Sequence, residues 1–213
     1  MLDLSKEVEK ELDERIFPFW SNLADYENSG FYGYVSYDGI INKESEKGVI
    51  LNTRILWFFS AVYCLQKKPE ALSLANHAYE FMKSKLFDDE YKGLYWMVDF
   101  KGMPTDTRKH IYNQAFGIYG LCQYYKATGK EEALNKAKEL FELIEKKCES
   151  SNGYLEEFDR QWNEKENEML SENNVISDRT MNTHLHILEA YTLLYEVSKD
   201  DNRSEERRVG KEC

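Results

Sequence analysis

Proline and cysteine are both scarce in this sequence of 213 residues. Only 3 prolines occur, and the content of 42% hydrophobic and 14% aromatic residues is typical of a folded globular domain, which excludes disordered and collagen-like chains. The cysteines Cys64, Cys122, Cys148 and Cys213 are too scattered for a metal site or a disulfide scaffold. We therefore expect reduced thiols in a reducing compartment, the cytoplasm.

Acidic residues outnumber basic ones, 39 to 28, which leaves a formal net charge of −11. Such a charge repels phosphate backbones and anionic lipids, and no basic patch compensates for it, so neither nucleic acid nor a membrane is an expected partner. No apolar run approaches the ~20 residues of a membrane span, and residues 1–10 lack the pattern of a signal peptide. A small molecule is the expected partner.

An internal repeat of about 62 residues organises the chain. Residues 69–82 match residues 130–144 at this displacement. Segments rich in aromatic residues follow Gly30, Gly93 and Gly153, which are spaced 63 and 60 residues apart. Such repeats indicate a structure in which each unit buries its core against its neighbours.

Each repeat contains two kinds of helix. Segments 69–82 and 131–147 are amphipathic, as in an outer helix, whereas segments 54–65, 115–125 and 184–195 are apolar on nearly all sides, as in a buried inner helix. The glycine-opened segments alternate polar and aromatic residues, which predicts short hairpins. The sequence therefore predicts an all-α protein, an α/α toroid.

Closing six such steps takes roughly 370 residues, so residues 1–202 are expected to supply about half of the ring as one domain. Residues 203–213, RSEERRVGKEC, break the periodicity and resemble the translation of a sequencing adapter. We interpret them as a foreign tail on a truncated chain.

Arg54 is the first candidate for chemistry. It follows Asn52 and Thr53, which could cap an inner helix, and shares a helix face with Trp57. Its guanidinium suits an anion or a developing oxyanion. The alternative is a structural arginine that forms an ion pair at a helix end.

Tyr112, Asn113 and Gln114 precede the second inner helix and form the next candidate group. A phenol and amides together can bind sugar hydroxyls. Alternatively, Asn113 caps the helix while Tyr112 packs beside it. His110 is expected to be a solvated turn residue.

His184 and His186 lie two residues apart in the third inner helix, so they point about 200° apart and cannot bind one metal ion together. We expect His184 to face the cavity or to be a core residue. His186 is expected to face elsewhere and to pair with Glu189. His77 is expected to be structural.

Glu156, Glu157 and Asp159 lie close to Trp162 and offer a glycosidase alternative, because two carboxylates can hydrolyse a glycosidic bond. The competing interpretation is a solvated acidic surface. No phosphate-binding glycine loop, HExxH or CxxC occurs in the sequence, and no metal site is predicted.

Segments 51–63, 110–120 and 181–195, in this order and spacing, resemble the N-terminal half of the cellobiose 2-epimerases, a branch of the N-acylglucosamine 2-epimerase superfamily. The similarity covers about residues 1–202. It implies an (α/α)6 barrel and a cofactor-independent isomerase that epimerises C2 of the reducing-end glucose of a β-1,4 disaccharide, cellobiose to glucosylmannose. A mannobiose or N-acylglucosamine 2-epimerase is the alternative within the superfamily.

The resemblance also implies site residues. Arg54, Tyr112 and His184 would be catalytic or cavity residues, with Trp57 and Asn182 close by. Together with Asn113, chosen above for its amide, Trp57 and Asn182 are the expected substrate-binding residues. It places the two principal acid/base histidines in the second half of the barrel. We therefore expect this chain to be inactive alone. The full-length protein is expected to be a monomer.

Overall fold

The computed structural model describes residues 4–165 and 179–198. The helices of this part are α1 (Leu4–Glu11), α2 (Phe17–Ser21), α3 (Val49–Gln66), α4 (Pro69–Phe81), α5 (Ile111–Thr128), α6 (Glu131–Cys148) and α7 (Met181–Ser198). A π-helical turn, Leu12–Ile16, joins α1 to α2, and another, Met82–Leu86, extends α4. The expected foreign tail, 203–213, lies outside the described residues.

Short antiparallel strands connect each outer helix to the next inner one. They are β1 (Lys47–Gly48), β2 (Met97–Val98), β3 (Pro104–Asp106), β4 (Lys109–His110), β5 (Glu149–Ser150), β6 (Gly153–Tyr154), β7 (Glu157–Phe158) and β8 (Glu164–Lys165). They pair in the orders β1-β2-β3, β4-β7-β8 and β5-β6. Since β1 runs directly into α3 and β4 into α5, this layer covers the N-terminal ends of the inner helices.

The inner helices α3, α5 and α7 pack side by side, with α5 in the middle. The outer helices α4 and α6 contact α3 and α5 respectively and bury one face each, as their amphipathic pattern predicts. This arrangement of inner and outer helices confirms the predicted α/α toroid, of which three inner helices are present in the described residues. In that part of the chain, α3 alone has the length and apolar composition of a membrane span, and here it packs as a core helix.

Two buried ion pairs hold the turns to the inner helices. Lys47 Nζ lies 2.8 Å from Asp25 Oδ2, and Lys109 Nζ lies 3.0 Å from Asp88 Oδ2, with all four side chains fully buried. Asp88 also accepts hydrogen bonds from Arg160 Nε, at 2.9 Å, and Arg160 Nη2, at 3.1 Å. The lysine of each pair lies two residues before an inner helix, so the pair ties the start of that helix to an earlier turn.

The first inner helix begins earlier than the sequence predicts. Gly48 is the N-cap of α3, so Asn52 and Thr53 lie inside the helix, fully buried, and cap nothing. The amide of Asn52 donates back to the Gly48 carbonyl at 3.0 Å. The strand β1 leads straight into the helix, which is why no polar cap is needed at residue 52 or 53.

Candidate active site

Arg54 and Tyr112 lie on neighbouring inner helices and meet at their side chains. Arg54 Nη2 donates a hydrogen bond to Tyr112 Oη at 3.3 Å across α3 and α5. The guanidinium carbon lies 4.3 Å from the centre of the Phe116 ring, one helical turn beyond Tyr112. This ring orients the planar donor group by a cation–π contact, while Arg54 itself remains exposed.

His186 on α7 completes this group. Its ring centre lies 4.9 Å from that of Tyr112, nearly perpendicular to it, and 4.6 Å from that of Phe116. Its Nδ1 lies 2.7 Å from Glu189 Oε2. We call Arg54, Tyr112, Phe116 and His186 the inner cluster.

The expected orientation of α7 is therefore wrong, because His186 and not His184 packs against the two rings that contact Arg54. His184 Nε2 accepts a hydrogen bond from the Tyr154 backbone N–H at 3.2 Å, and its Nδ1 lies 2.8 Å from the Thr180 carbonyl. A side-chain carbon at Gly153 would come within 2.7 Å of His184 Nε2. His184 thus holds the hairpin β5-β6 against α7. The predicted pairing of His186 with Glu189 is present, but it lies on the side that faces the inner cluster.

Gln114 on α5 binds the backbone of a preceding turn, as His184 does on α7. Its amide accepts from Leu94 N at 2.7 Å and donates to Leu94 O at 3.0 Å. Leu94 directly follows Gly93, as Tyr154 follows Gly153. On α5 and α7, the side chain at the fourth position therefore anchors the preceding glycine turn.

Asn113 and His110 are also turned toward the protein. The amide of Asn113, expected to bind substrate, donates to the Tyr95 carbonyl, and the residue is fully buried. His110 is fully buried and is the N-cap of α5, where its Nδ1 accepts from Tyr112 N at 3.2 Å. The expectations of a solvated His110 and of capping by Asn113 are both wrong, because β4 places residue 110 at the cap.

Trp57 and Asn182 are the two other residues that were expected to bind substrate. The Trp57 ring stacks on Tyr119, with centres 5.4 Å apart and planes 9° apart, one turn further along α3 and α5. Asn182 is exposed at the second position of α7. This is the position that Tyr112 occupies on α5.

The remaining candidates have structural contacts. His77 Nε2 lies 2.8 Å from the Gly30 carbonyl, as expected of a structural histidine. Glu156 is buried and accepts from the Thr183 hydroxyl at 2.8 Å and from the Thr180 backbone N–H, which ties it to the start of α7. Glu157 is buried and accepts from Arg108 at 3.1 Å.

Asp159 closes its own turn. The Asn163 amide donates to it at 2.8 Å, and hydrogen bonds from Asn163 and from the backbone hold the pKa of Asp159 below its ordinary value. The solvated acidic surface is therefore wrong for Glu156 and Glu157, which are buried by Arg108 and the start of α7. Both carboxylates are thus engaged in structural contacts.

The inner cluster combines a guanidinium, a phenol and an imidazole on an aromatic base. These groups can hold an oxygen atom that gains negative charge and can move a proton at that oxygen or beside it. The described residues hold no group of three histidine, cysteine or carboxylate side chains that could bind a metal ion. Sequence reasoning missed His186 and Glu189 as members of the site.

Residues 30–208 match the N-acylglucosamine 2-epimerase (GlcNAc 2-epimerase) family. The chain is 52% identical over 195 residues to the cellobiose 2-epimerase of Ruminococcus albus, a match that covers 92% of this chain and 50% of that protein. It is 48% identical over 199 residues to the cellobiose 2-epimerase of Dictyoglomus turgidum, which covers 93% and 51% respectively. The chain thus spans about half the length of the curated relatives it matches.

Solved structures agree with this relationship. The cellobiose 2-epimerase of Bacillus thermoamylovorans superimposes with a TM-score of 0.94 at 52% identity, over 98% of this chain and 54% of that one. A family 76 glycoside hydrolase of Bacteroides thetaiotaomicron, with a TM-score of 0.71 at 15% identity, shares the fold alone. The chain belongs to the N-acylglucosamine 2-epimerase family.

Proposed function

We propose that this chain supplies the N-terminal half of the active site of a sugar epimerase. The substrate would be a β-1,4 disaccharide such as cellobiose, and the reaction would invert C2 of its reducing-end glucose to give glucosylmannose. The observation that carries the proposal is the inner cluster, in which Arg54 binds the Tyr112 hydroxyl and His186 packs against the Tyr112 ring. The relatives named cellobiose 2-epimerase, at about half identity over nearly the whole chain, support it.

Epimerisation at C2 begins with opening of the pyranose ring to the aldehyde. A base then removes the C2 proton, which leaves a cis-enediolate, and an acid returns a proton to the opposite face. The enediolate needs a cationic or hydrogen-bonding partner at its oxygens. Arg54 supplies this partner, since its donor fork is exposed and its plane is set by Phe116.

Tyr112 and His186 act beside Arg54. The Tyr112 hydroxyl already accepts a hydrogen bond from Arg54, so it donates its own proton to a sugar oxygen. The resemblance implies that His184 is a catalytic or cavity residue. The geometry favours His186 for a part in ring opening or sugar orientation, because His184 is engaged by backbone groups. Trp57 and Asn182 contact the sugar as a stacking face and an amide.

Two proton-transfer groups on opposite faces of C2 are needed, and His186 is the one histidine of the described residues beside Arg54. By the family resemblance, the principal pair lies in the second half of the barrel. The 213 residues alone are therefore expected to be inactive. We propose that the completed protein is a cytoplasmic monomer that works without a cofactor.

The test compares the completed reading frame with the 213-residue chain, each incubated with cellobiose in D₂O. Epimerisation by the completed protein should give glucosylmannose with deuterium at C2, because a proton taken by a histidine exchanges with solvent. The 213-residue chain should give no conversion. Release of glucose would instead identify a glycosidase, and epimerisation without deuterium would rule out solvent-exchanging proton transfer.

A further inference from the structure

Counting from the first residue of each inner helix shows two layers that face the centre of the ring. The sixth residues are Arg54, Phe116 and His186, which belong to the inner cluster. The ninth residues are Trp57, Tyr119 and Glu189, and the first two of these stack on each other. Position nine of α7 thus carries a carboxylate where α3 and α5 carry aromatic rings.

Glu189 belongs to the layer of ninth residues and contacts the layer of sixth residues through His186. Burial raises the pKa of Tyr119, and the charge of Glu189 raises it further. Its Oε2 lies 2.7 Å from His186 Nδ1, while 48% of its side chain is exposed and 18% of that of His186. The carboxylate therefore lies at the inner face of α7, within reach of solvent or a ligand.

An ionised carboxylate can only accept hydrogen bonds. The contact at 2.7 Å thus requires the proton of neutral His186 to be on Nδ1. The rings of Tyr112 and Phe116 hold the imidazole from two other directions. Within residues 4–165 and 179–198, no side chain or backbone group forms a hydrogen bond with His186 Nε2, which leaves that nitrogen as an acceptor for a substrate hydroxyl.

We propose that Glu189 is a positioning residue, which fixes His186 with Nδ1–H toward the carboxylate and Nε2 toward the sugar. The effect of Glu189 on catalysis rests on the proposed function. The tautomer assigned to His186 does not depend on any activity. An imidazole oriented in this way can take a proton from a sugar hydroxyl during ring opening without first rotating or exchanging its own proton.

Two other histidines supply internal standards. His184 Nε2 accepts from Tyr154 N, so its proton is on Nδ1. His110 Nδ1 accepts from Tyr112 N, so its proton is on Nε2. The chain therefore contains one reference for each tautomer, and neither of them contacts Glu189.

The first experiment is nitrogen NMR of the 213-residue chain with ¹⁵N-labelled histidine, at about pH 8.5, where an ordinary imidazole is neutral. His186 should show the same Nδ1–H tautomer as His184 and the opposite of His110. Glu189→Leu should abolish this preference at His186 and leave the two references unchanged. Glu189→Gln should keep it, since the amide oxygen still accepts. An Nε2–H tautomer of His186 in the unsubstituted chain, or no change in Glu189→Leu, would overturn the proposal.

The second experiment measures kcat and KM of the completed enzyme on cellobiose. Glu189→Leu should lower kcat by about tenfold or more with KM within about twofold, and Glu189→Gln should recover most of the loss. Glu196→Leu is the matched control, because Glu196 lies on the same helix in a surface ion pair with Lys126, and it should match the unsubstituted enzyme. A normal kcat in Glu189→Leu would refute the positioning role. If the unsubstituted enzyme does not epimerise, the proposed function fails, whereas the NMR result still decides the assignment of Glu189.

Discussion

His184 and His186 are two residues apart on α7, and substituting each by asparagine should separate stability from catalysis. Histidine and asparagine have similar helix propensities, so neither substitution should change the intrinsic stability of the helix much. His184→Asn loses two hydrogen bonds, one from Tyr154 N and one to the Thr180 carbonyl. At about 1 kcal/mol for each bond, the free energy of unfolding should fall by about 2 kcal/mol.

In the completed enzyme, which is about twice as long as this chain, that loss lowers the melting temperature by roughly 2–4 °C. His186→Asn removes one hydrogen bond, to a half-exposed Glu189, so its melting temperature should change little. Its kcat should instead fall by about 100-fold or more, as expected when a group that moves a proton in the reaction is removed. The assay is thermal unfolding together with kcat on cellobiose, both in the completed enzyme.

A third variant tests the reason for the effect at residue 184. Gln114 occupies the same helix position on α5 and holds both backbone groups of Leu94. His184→Gln can therefore make equivalent bonds and should restore most of the melting temperature that His184→Asn loses. A large loss of kcat in His184→Asn together with an unchanged kcat in His186→Asn would show that the assignment is reversed.

Two further predictions concern charged residues. Arg54→Ala should lower kcat by about 100-fold, as loss of an oxyanion donor does. The kcat of Arg54→Lys should also be well below normal, because an ammonium lacks the two-pronged donor geometry of a guanidinium. A normal kcat with only a lower melting temperature would show that Arg54 is structural. Burial raises the pKa of Asp88, but hydrogen bonds from Arg160 and Lys109 outweigh it and hold this pKa well below its ordinary value. The stabilisation by Asp88 is thus complete above about pH 4 and is lost as the pH falls below that. Asp88→Asn should therefore lower the free energy of unfolding by about 3 kcal/mol at neutral pH, because Lys109 stays buried without its carboxylate. The free energy of unfolding of this variant should also fall less steeply between about pH 4 and pH 2 than that of the unsubstituted protein. An equally steep fall in both proteins would contradict this.

The repeat and the helix types could be read from the sequence because they depend on local pattern. Apolar residues on all sides predict an inner helix wherever the chain runs, and α3, α5 and α7 all contain the predicted segments. Arg54 and Tyr112 could likewise be selected from the sequence as candidate site residues, since a cation and a phenol near the start of a buried helix are costly to bury without a partner. The buried Lys47 and Lys109 could not be foreseen, because each depends on an aspartate about 20 residues earlier in the chain.

The rotation of α7 could not be predicted because the spacing of the repeats changes there. The step from Asn52 to Gln114 is 62 residues, but the step from Gln114 to His184 is 70, so a constant repeat does not place the third inner helix. What fixes its rotation is the turn before it: a side chain at the fourth position must reach the residue after the turn glycine, as Gln114 reaches Leu94 and His184 reaches Tyr154. Two further residues turn a helix by about 200°, so once His184 is directed at the hairpin, His186 has to face the centre of the ring.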